Sequence, residues 1–185
     1  VVLPSFTFSA SAHAVHWNGR SPRFVDCDPA TFQMDLAHVE ASLGGASALM
    51  GTHVFGAPCA PESVEKLGAA AGLPVVFDAA HAIGATSNER PIGGFGEAEI
   101  FSLTPTKPMV GGEGGLIATR DRDLAARLRT GRDYGNPGDY DTRFVGLNAR
   151  MSEFHAAMAL ESLALLDGNL ARRRDLATRY IDGLR

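Results

Sequence analysis

The stretch Leu73-Pro-Val-Val-Phe77-Asp78-Ala-Ala-His81 decides the fold of this chain. Residues 73–77 are apolar, without the alternation that marks a strand with one solvated face. Such a run predicts a strand buried on both faces, as in a parallel sheet covered by helices. Asp78 follows directly, and ligands of open α/β sheets bind outside the carboxyl ends of the strands. The stretch therefore predicts an α/β fold with an acidic side chain at its ligand-binding edge.

Strand-like and helical segments alternate around this run. Further strands are predicted at residues 1–3, 23–26, 48–55, 99–103 and 115–119, and helices at 7–17, 35–43, 61–71 and 121–129. From residue 150 onward the pattern changes to two helices, 151–166 and 170–184, separated by Asp167-Gly-Asn169. The β-α-β-α-β-α-β order predicts a mostly parallel sheet flanked by helices (α/β/α).

The composition excludes several classes of protein. The chain has 185 residues, 45% hydrophobic and 21% charged, as in an ordinary soluble globular protein. A net charge of -4 argues against a nucleic-acid partner, and the sequence has no apolar stretch of membrane-spanning length. Cys27 and Cys59 are isolated, which indicates neither a zinc site nor a disulfide framework. We therefore expect a cytoplasmic protein with no metal and no membrane contact.

A second informative stretch is Phe101-Ser-Leu-Thr-Pro-Thr-Lys107-Pro-Met-Val-Gly-Gly-Glu-Gly-Gly115. It places a lysine at the end of an apolar run, just before a glycine cluster. An amine held in a desolvated turn loses its proton readily and can form a Schiff base with a carbonyl compound, pyridoxal phosphate included. The motif alone also fits a solvated loop lysine.

Asp78 and Lys107 each follow a predicted strand, so two strand ends can bring a carboxylate and an amine together. Pyridoxal phosphate chemistry uses this pair. The lysine holds the aldehyde and moves the proton, and the carboxylate keeps the pyridine nitrogen protonated. A capping role for Asp78 and a partly buried, satisfied His81 are the alternatives that the residues leave open.

Six ordered motifs make the sequence more specific. They are Pro4-Ser-Phe-Thr-Phe8, Phe24-Val-Asp-Cys-Asp-Pro29, Thr52-His-Val-Phe-Gly56, Asp78-Ala-Ala-His-Ala-Ile-Gly84, residues 101–115, and Gly146-Leu-Asn-Ala-Arg-Met-Ser-Glu153. With these motifs the chain resembles the DegT/DnrJ/EryC1/StrS family of sugar aminotransferases of fold type I, which use pyridoxal 5'-phosphate. The resemblance covers essentially all residues.

The resemblance implies a role for each of several side chains around the cofactor. Lys107 would be the Schiff-base lysine, and Asp78 the partner of the pyridine nitrogen. His81 would lie near the ring hydroxyl, Phe8 would stack on the ring face, and Ser102 would touch the phosphate. A plain core phenylalanine remains the alternative for Phe8, and a serine in a strand carries little information alone.

The resemblance further implies a homodimer with shared active sites. Asn148 would reach the phosphate of the cofactor in the neighbouring subunit, although an asparagine there could simply end a turn. Arg150 and His53 are weaker candidates for substrate contacts, and a solvated side chain is the alternative for Arg150.

The resemblance implies that residues 1–150 are the cofactor-binding large domain without its N-terminal part. Residues 151–185 would be a helical connection toward a mostly absent small domain, so we expect a fragment of a longer protein. The expected reaction moves an amino group from glutamate or glutamine to a keto group of a nucleotide-linked sugar. A cyclitol ketone as acceptor and a catalytically silent regulatory or scaffold member are the alternatives. Lys107 argues against a deoxysugar dehydratase, which carries histidine at that position.

Overall fold

The computed structural model describes residues 1–184, which form eight strands and six α-helices. The strands are β1 (Val2–Pro4), β2 (Arg23–Val25), β3 (Leu49–Thr52), β4 (Val75–Asp78), β5 (Thr86–Ser87), β6 (Arg90–Pro91), β7 (Ala98–Ser102) and β8 (Gly115–Ala118). The helices are α1 (Ser9–Trp17), α2 (Leu36–Ser42), α3 (Pro61–Ala71), α4 (Arg122–Gly131), α5 (Glu153–Ala164) and α6 (Leu166–Gly183).

The main sheet has six strands in the order β2-β1-β3-β4-β7-β8. All neighbours pair in parallel except β7 and β8, which are antiparallel. The predicted α/β fold with a mostly parallel sheet is therefore confirmed. The connection from β7 to β8 contains no helix, so β8 returns beside β7 in the opposite direction.

The strand order reverses between β1 and β3. The chain leaves β1 toward β2 at one edge, whereas the strands that follow β3 extend the sheet the other way. A crevice opens at such a reversal, and it is where open α/β sheets bind ligands. The carboxyl ends of β1, β3 and β4 meet there, because Thr52 at the end of β3 lies in register with Asp78 at the end of β4.

The main core lies between the central strands and helices α2 and α3. Val39 of α2 and Val64 of α3 pack against Leu49, Val75 and Phe77 of the sheet. Full burial of an aliphatic or aromatic side chain contributes about 1.5–3 kcal/mol. The predicted bounds of α3 agree with the structure, since Pro at its first position and Gly72 at its end are favoured there.

The two C-terminal helices meet at Leu165, not at the predicted break over residues 167–169. Gly168 and Asn169 lie inside α6, where the Asn169 backbone N–H donates to Leu165 O at 3.0 Å. Leu166 and Leu170, one helical turn apart, join a second cluster of apolar side chains with Leu103 and Met109, which follow β7. This packing outweighs the roughly 1 kcal/mol that a glycine costs inside a helix.

The sequence also gave no indication of the hairpin β5–β6, whose turn residues Asn88 and Glu89 both have positive φ. Within residues 1–184, every helix is too short or too polar to span a bilayer. The division of the chain at residue 150 remains a prediction, and residue 185 of its second part lies outside the described residues.

Candidate active site

Asp78 ends β4 with its carboxylate at the carboxyl edge of the sheet. Its Oδ2 accepts a hydrogen bond from Ser11 Oγ at 2.6 Å, and its Oδ1 accepts one from the Ala80 backbone N–H at 3.0 Å. The residue is half-buried. Asp78 caps no helix, because β4 is followed by turns, but its bond to the Ala80 N–H caps the turn after β4, so the turn-cap alternative is also realised. Each oxygen of the carboxylate retains lone-pair capacity for a further donor.

Lys107 lies in the loop that joins β7 to β8. Its backbone N–H donates to Thr104 O at 3.0 Å, and Leu103 N–H donates to Gly114 O at 3.0 Å, so the loop closes on itself. Gly112 has a φ of 82° that L side chains rarely adopt, and a Cβ there would lie 2.9 Å from a ring carbon of His155. The lysine is half-buried in this turn, as its sequence context predicts.

His81 lies between these two charged groups. Its pKa is lowered first by burial and then by the nearby Lys107 ammonium, whereas the Asp78 carboxylate acts in the opposite direction. His81 and Lys107 line the same cavity, and Asp78 ends β4 three residues before His81, so the structure places the three predicted residues at one end of the sheet. The Phe55 ring stacks on His81 at 6.2 Å between centroids with the planes 8° apart.

Phe8 and Ser102 flank this cluster. Phe8 precedes α1, the helix that carries Ser11, and it is 74% exposed. A plain core role is therefore wrong for Phe8. Ser102 is the last residue of β7, two positions beyond the residue in register with Asp78. Its Oγ lies 3.2 Å from Thr104 Oγ1, so its hydroxyl stands beside the loop of Lys107.

His53 differs from its predicted role as a candidate substrate contact. Its side chain has no exposure, and its Nε2 lies 3.2 Å from Oε1 of the equally buried Glu99. His53 Nδ1 accepts the Cys59 backbone N–H at 3.2 Å, so a neutral ring carries its proton on Nε2 and donates it to Glu99. Glu99 Oε2 also accepts backbone N–H groups from Gly93 and Phe95. In this structure His53 is enclosed by protein and supports the sheet instead of facing a ligand.

Asn148 and Arg150 lie in an exposed segment. Asn148 forms an isolated antiparallel bridge with Asp133. Arg150 Nε lies 3.3 Å from Asp133 Oδ1, and its guanidinium lies 5.6 Å from the centroid of the Tyr134 ring. In the part of the chain that the structure describes, these contacts are to Asp133 and Tyr134 and not to Asp78 or Lys107.

A cavity of about 360 Å³ opens beside Lys107. It is lined by Phe55, His81, Lys107, Leu170, Arg173 and Arg174, among others. Leu170 and the two arginines belong to α6, so this helix forms one wall. The cavity combines an amine, two guanidinium groups and a stacked aromatic pair, a set that suits an anionic ligand with a reactive carbonyl.

Sequence reasoning missed Ser11, Thr7, Thr52 and Glu99. Thr7 and Thr52 lie in the motifs of residues 4–8 and 52–56. Ser11 lies four residues after Thr7 in the predicted helical segment, a spacing that places the two on one face and was the available signal. Sequence spacing alone does not reveal that Thr52 reaches Thr7, since 45 residues separate them.

Comparisons with known proteins fit this geometry. The model of the DegT/DnrJ/EryC1/StrS aminotransferase family matches residues 1–185. A GDP-perosamine synthase from Caulobacter vibrioides is 37% identical over 97% of this chain and 49% of its own length. The L-glutamine:scyllo-inosose aminotransferase of Streptomyces griseus is 36% identical over 100% of this chain and 46% of its own length. The chain thus spans about half the length of these curated relatives.

The fold also matches solved structures. The crystal structure of DesI in the presence of its TDP-sugar product aligns with a TM-score of 0.84 and 42% identity. That alignment covers 90% of this chain and 43% of the solved one.

Proposed function

Because this chain belongs to the DegT/DnrJ/EryC1/StrS aminotransferase family, we propose that it carries the cofactor site of a pyridoxal-phosphate-dependent sugar aminotransferase. The reaction moves an amino group from glutamate or glutamine to a keto group of a nucleotide-linked sugar. The observation that carries this proposal is geometric: Asp78 ends β4, His81 lies in the turn that follows, and Lys107 lines the same cavity as His81.

The residues at this edge fit pyridoxal phosphate. A half-buried carboxylate with free lone pairs suits a protonated pyridine nitrogen, and an exposed aromatic ring, Phe8, is available for stacking. Ser102 offers a hydroxyl to the phosphate beside the lysine loop. When bound, the cofactor supplies an electron-accepting ring that stabilises negative charge at the α-carbon of the amino donor.

Asp78, Lys107 and His81 each have a separate role in the proposed reaction. Asp78 keeps a proton on the ring nitrogen through charge and hydrogen bonding. Lys107 would hold the cofactor through Nζ until the amino donor displaces it, and the freed amine would then move a proton at the donor's α-carbon. The lowered pKa of His81 keeps its imidazole neutral near pH 7, so His81 contributes a hydrogen bond without adding positive charge.

The assembly is a homodimer in which Asn148 completes the phosphate site of the partner subunit. This part of the proposal is supported by the exposure of Asn148, whose backbone bridge runs to Asp133. In the same view, residues 1–150 belong to the cofactor-binding domain, and residues 151–185 are a helical connection toward a small domain, of which α6 forms a wall of the cavity beside Lys107.

A cyclitol ketone is the second candidate acceptor, because a relative of 36% identity is named for scyllo-inosose. The test is an amino-transfer assay of the intact protein with glutamate or glutamine and a panel of keto-sugar nucleotides and cyclitol ketones. We expect amination of at least one keto-sugar nucleotide, abolished by Lys107→Ala. Amination of cyclitols alone would assign the second candidate, and an inert protein that binds no pyridoxal phosphate would overturn both.

A further inference from the structure

A row of three hydroxyl groups leads to the Asp78 carboxylate. Thr52 Oγ1 lies 3.2 Å from Thr7 Oγ1, which lies 3.0 Å from Ser11 Oγ, which donates to Asp78 Oδ2 at 2.6 Å. The row crosses the reversal in strand order, since Thr7 follows β1 and Thr52 ends β3. It therefore connects the strands and the helix that meet at the site.

The carboxylate dictates the direction of every hydrogen bond in the row. A hydroxyl can donate one hydrogen bond, and Ser11 donates its hydrogen bond to Asp78. Thr7 must then donate to Ser11, which leaves Thr7 only its lone pairs for Thr52. Thr52 must therefore donate to Thr7. All three O–H dipoles point toward the same carboxylate.

The surroundings strengthen this arrangement. Ser11 is 5% exposed and Thr52 is 8% exposed, so water competes little for their hydroxyls. Successive hydrogen bonds that point the same way polarise one another, and a weakly solvated environment increases the effect. Ser11 also lies in the first turn of α1, where the positive end of the helix dipole favours a nearby anion.

We propose that Thr52, Thr7 and Ser11 are positioning residues that act as one directed hydrogen-bond chain to fix the orientation of the Asp78 carboxylate. With Oδ2 held by Ser11 and Oδ1 by the Ala80 N–H, rotation of the carboxylate breaks both bonds. The remaining lone pairs keep a constant direction toward the site. The consequence for cofactor binding rests on the function proposed above, but the chain itself does not.

The first test uses the cofactor-free intact protein and the ¹³Cγ resonance of Asp78, assigned by its loss in Asp78→Asn. Ser11→Ala should move this resonance and Ser11→Thr should restore it. Thr7→Val and Thr52→Val should move it in the same direction by smaller amounts. Ser47→Ala, which removes an exposed hydroxyl elsewhere, should leave it in place. An unmoved resonance in Ser11→Ala or in Thr7→Val overturns the chain.

The second test measures cofactor affinity and the pH dependence of the visible absorbance of the bound cofactor. Hydrogen bonds to charged groups are worth enough that Ser11→Ala should weaken pyridoxal phosphate binding about tenfold or more. In the Ser11→Ala background, Thr7→Val should have no further effect, because its path to the carboxylate is already broken. Additive losses would overturn the chain as a unit. A wild-type protein with the expected resonance shifts but no cofactor binding would instead refute the proposed function.

Discussion

The carboxyl ends of the strands and the segment from Asp133 to Arg150 differ in how many of their contacts are formed within the chain. At the sheet edge, buried hydroxyls and backbone N–H groups hold Asp78 from two sides. In the other segment Asn148 is exposed, and the neighbouring apolar residues Val145 and Leu147 are 98% and 71% exposed. Exposed apolar groups beside a polar candidate residue are typical of a surface that another chain covers.

The difference separates two kinds of site residue. Residues at parallel strand ends are brought together by the fold of their own chain, so their contacts are complete within a single subunit. Within residues 1–184, Asn148 bridges Asp133 and not the cluster, and under the proposed homodimer its function would depend on assembly. Variants of the first kind should therefore lose function in every subunit, whereas variants of the second kind should be rescued by a different partner.

The largest effect is expected for Lys107→Ala. Without the amine, borohydride reduction of the intact protein with pyridoxal phosphate should leave no pyridoxyl group on the chain, because Lys107 is the proposed attachment point. Peptide mass spectrometry provides the measurement. Lys66, the other lysine, is exposed on α3, so Lys66→Ala should retain the label at Lys107. A label on Lys66 in the wild type would show that the attachment site is wrong.

Asp78→Asn should reduce turnover by roughly 10²–10⁴, the range for the loss of a tuned acid–base group. Asparagine keeps the size of the side chain but cannot supply the charge that keeps the ring nitrogen protonated. The far-ultraviolet circular dichroism spectrum should stay unchanged. Asp182→Asn, at an exposed position of α6, serves as the matched control. Near-normal turnover of Asp78→Asn would remove this residue from the proposed mechanism.

The cross-subunit role of Asn148 can be tested by mixing two inactive variants, Lys107→Ala and Asn148→Asp. In a mixed dimer with shared sites, one site carries both lesions and the other carries neither. Random exchange of equal amounts should restore about a quarter of the wild-type rate per total protein. Subunit exchange is verified with differently tagged chains. Confirmed exchange without any recovery, or a fully active monomer, contradicts the role of Asn148.

His53→Ala should destabilise the protein without a direct effect on ligand contacts. It leaves the Glu99 carboxylate buried with one donor fewer, and loss of a hydrogen bond to a charged group costs about 1.5–3 kcal/mol. The free energy of unfolding in urea measures this loss. His38 pairs with Asp26 at 3.5 Å on the surface, and His38→Ala should cost no more than about 1 kcal/mol. Equal losses in the two variants would argue against a structural role for His53.

The smallest effect concerns the pKa of His81, followed by NMR in the cofactor-free protein. Lys107→Ala should raise this pKa toward its ordinary value, and Asp78→Asn should lower it further, because the two charges act in opposite directions. The folded-state pKa lies below the unfolded one. His81 therefore makes the protein lose stability as the pH falls through the window between these two pKa values. Shifts of the same sign in both variants would refute the arrangement.

The sequence by itself determined the six strands of the main sheet and most helices, because continuous apolar runs and terminal glycines or prolines act locally. It also identified Asp78 and Lys107, whose positions after strands constrain where their side chains lie. Their proximity follows from one general rule, that parallel strands end at the same edge of a sheet.

Only the tertiary structure decided the contacts that depend on distant segments. Gly168 stays helical because Leu166 and Leu170 pack on the core, which no local propensity indicates. His53 lies inside the protein because β7 places Glu99 beside it, 46 residues further along the chain. The hydroxyl row forms for the same reason, since Thr7 and Thr52 meet only where β1 and β3 pair. Hydrogen bonds of this kind are set by strand order and register, and a linear pattern encodes neither.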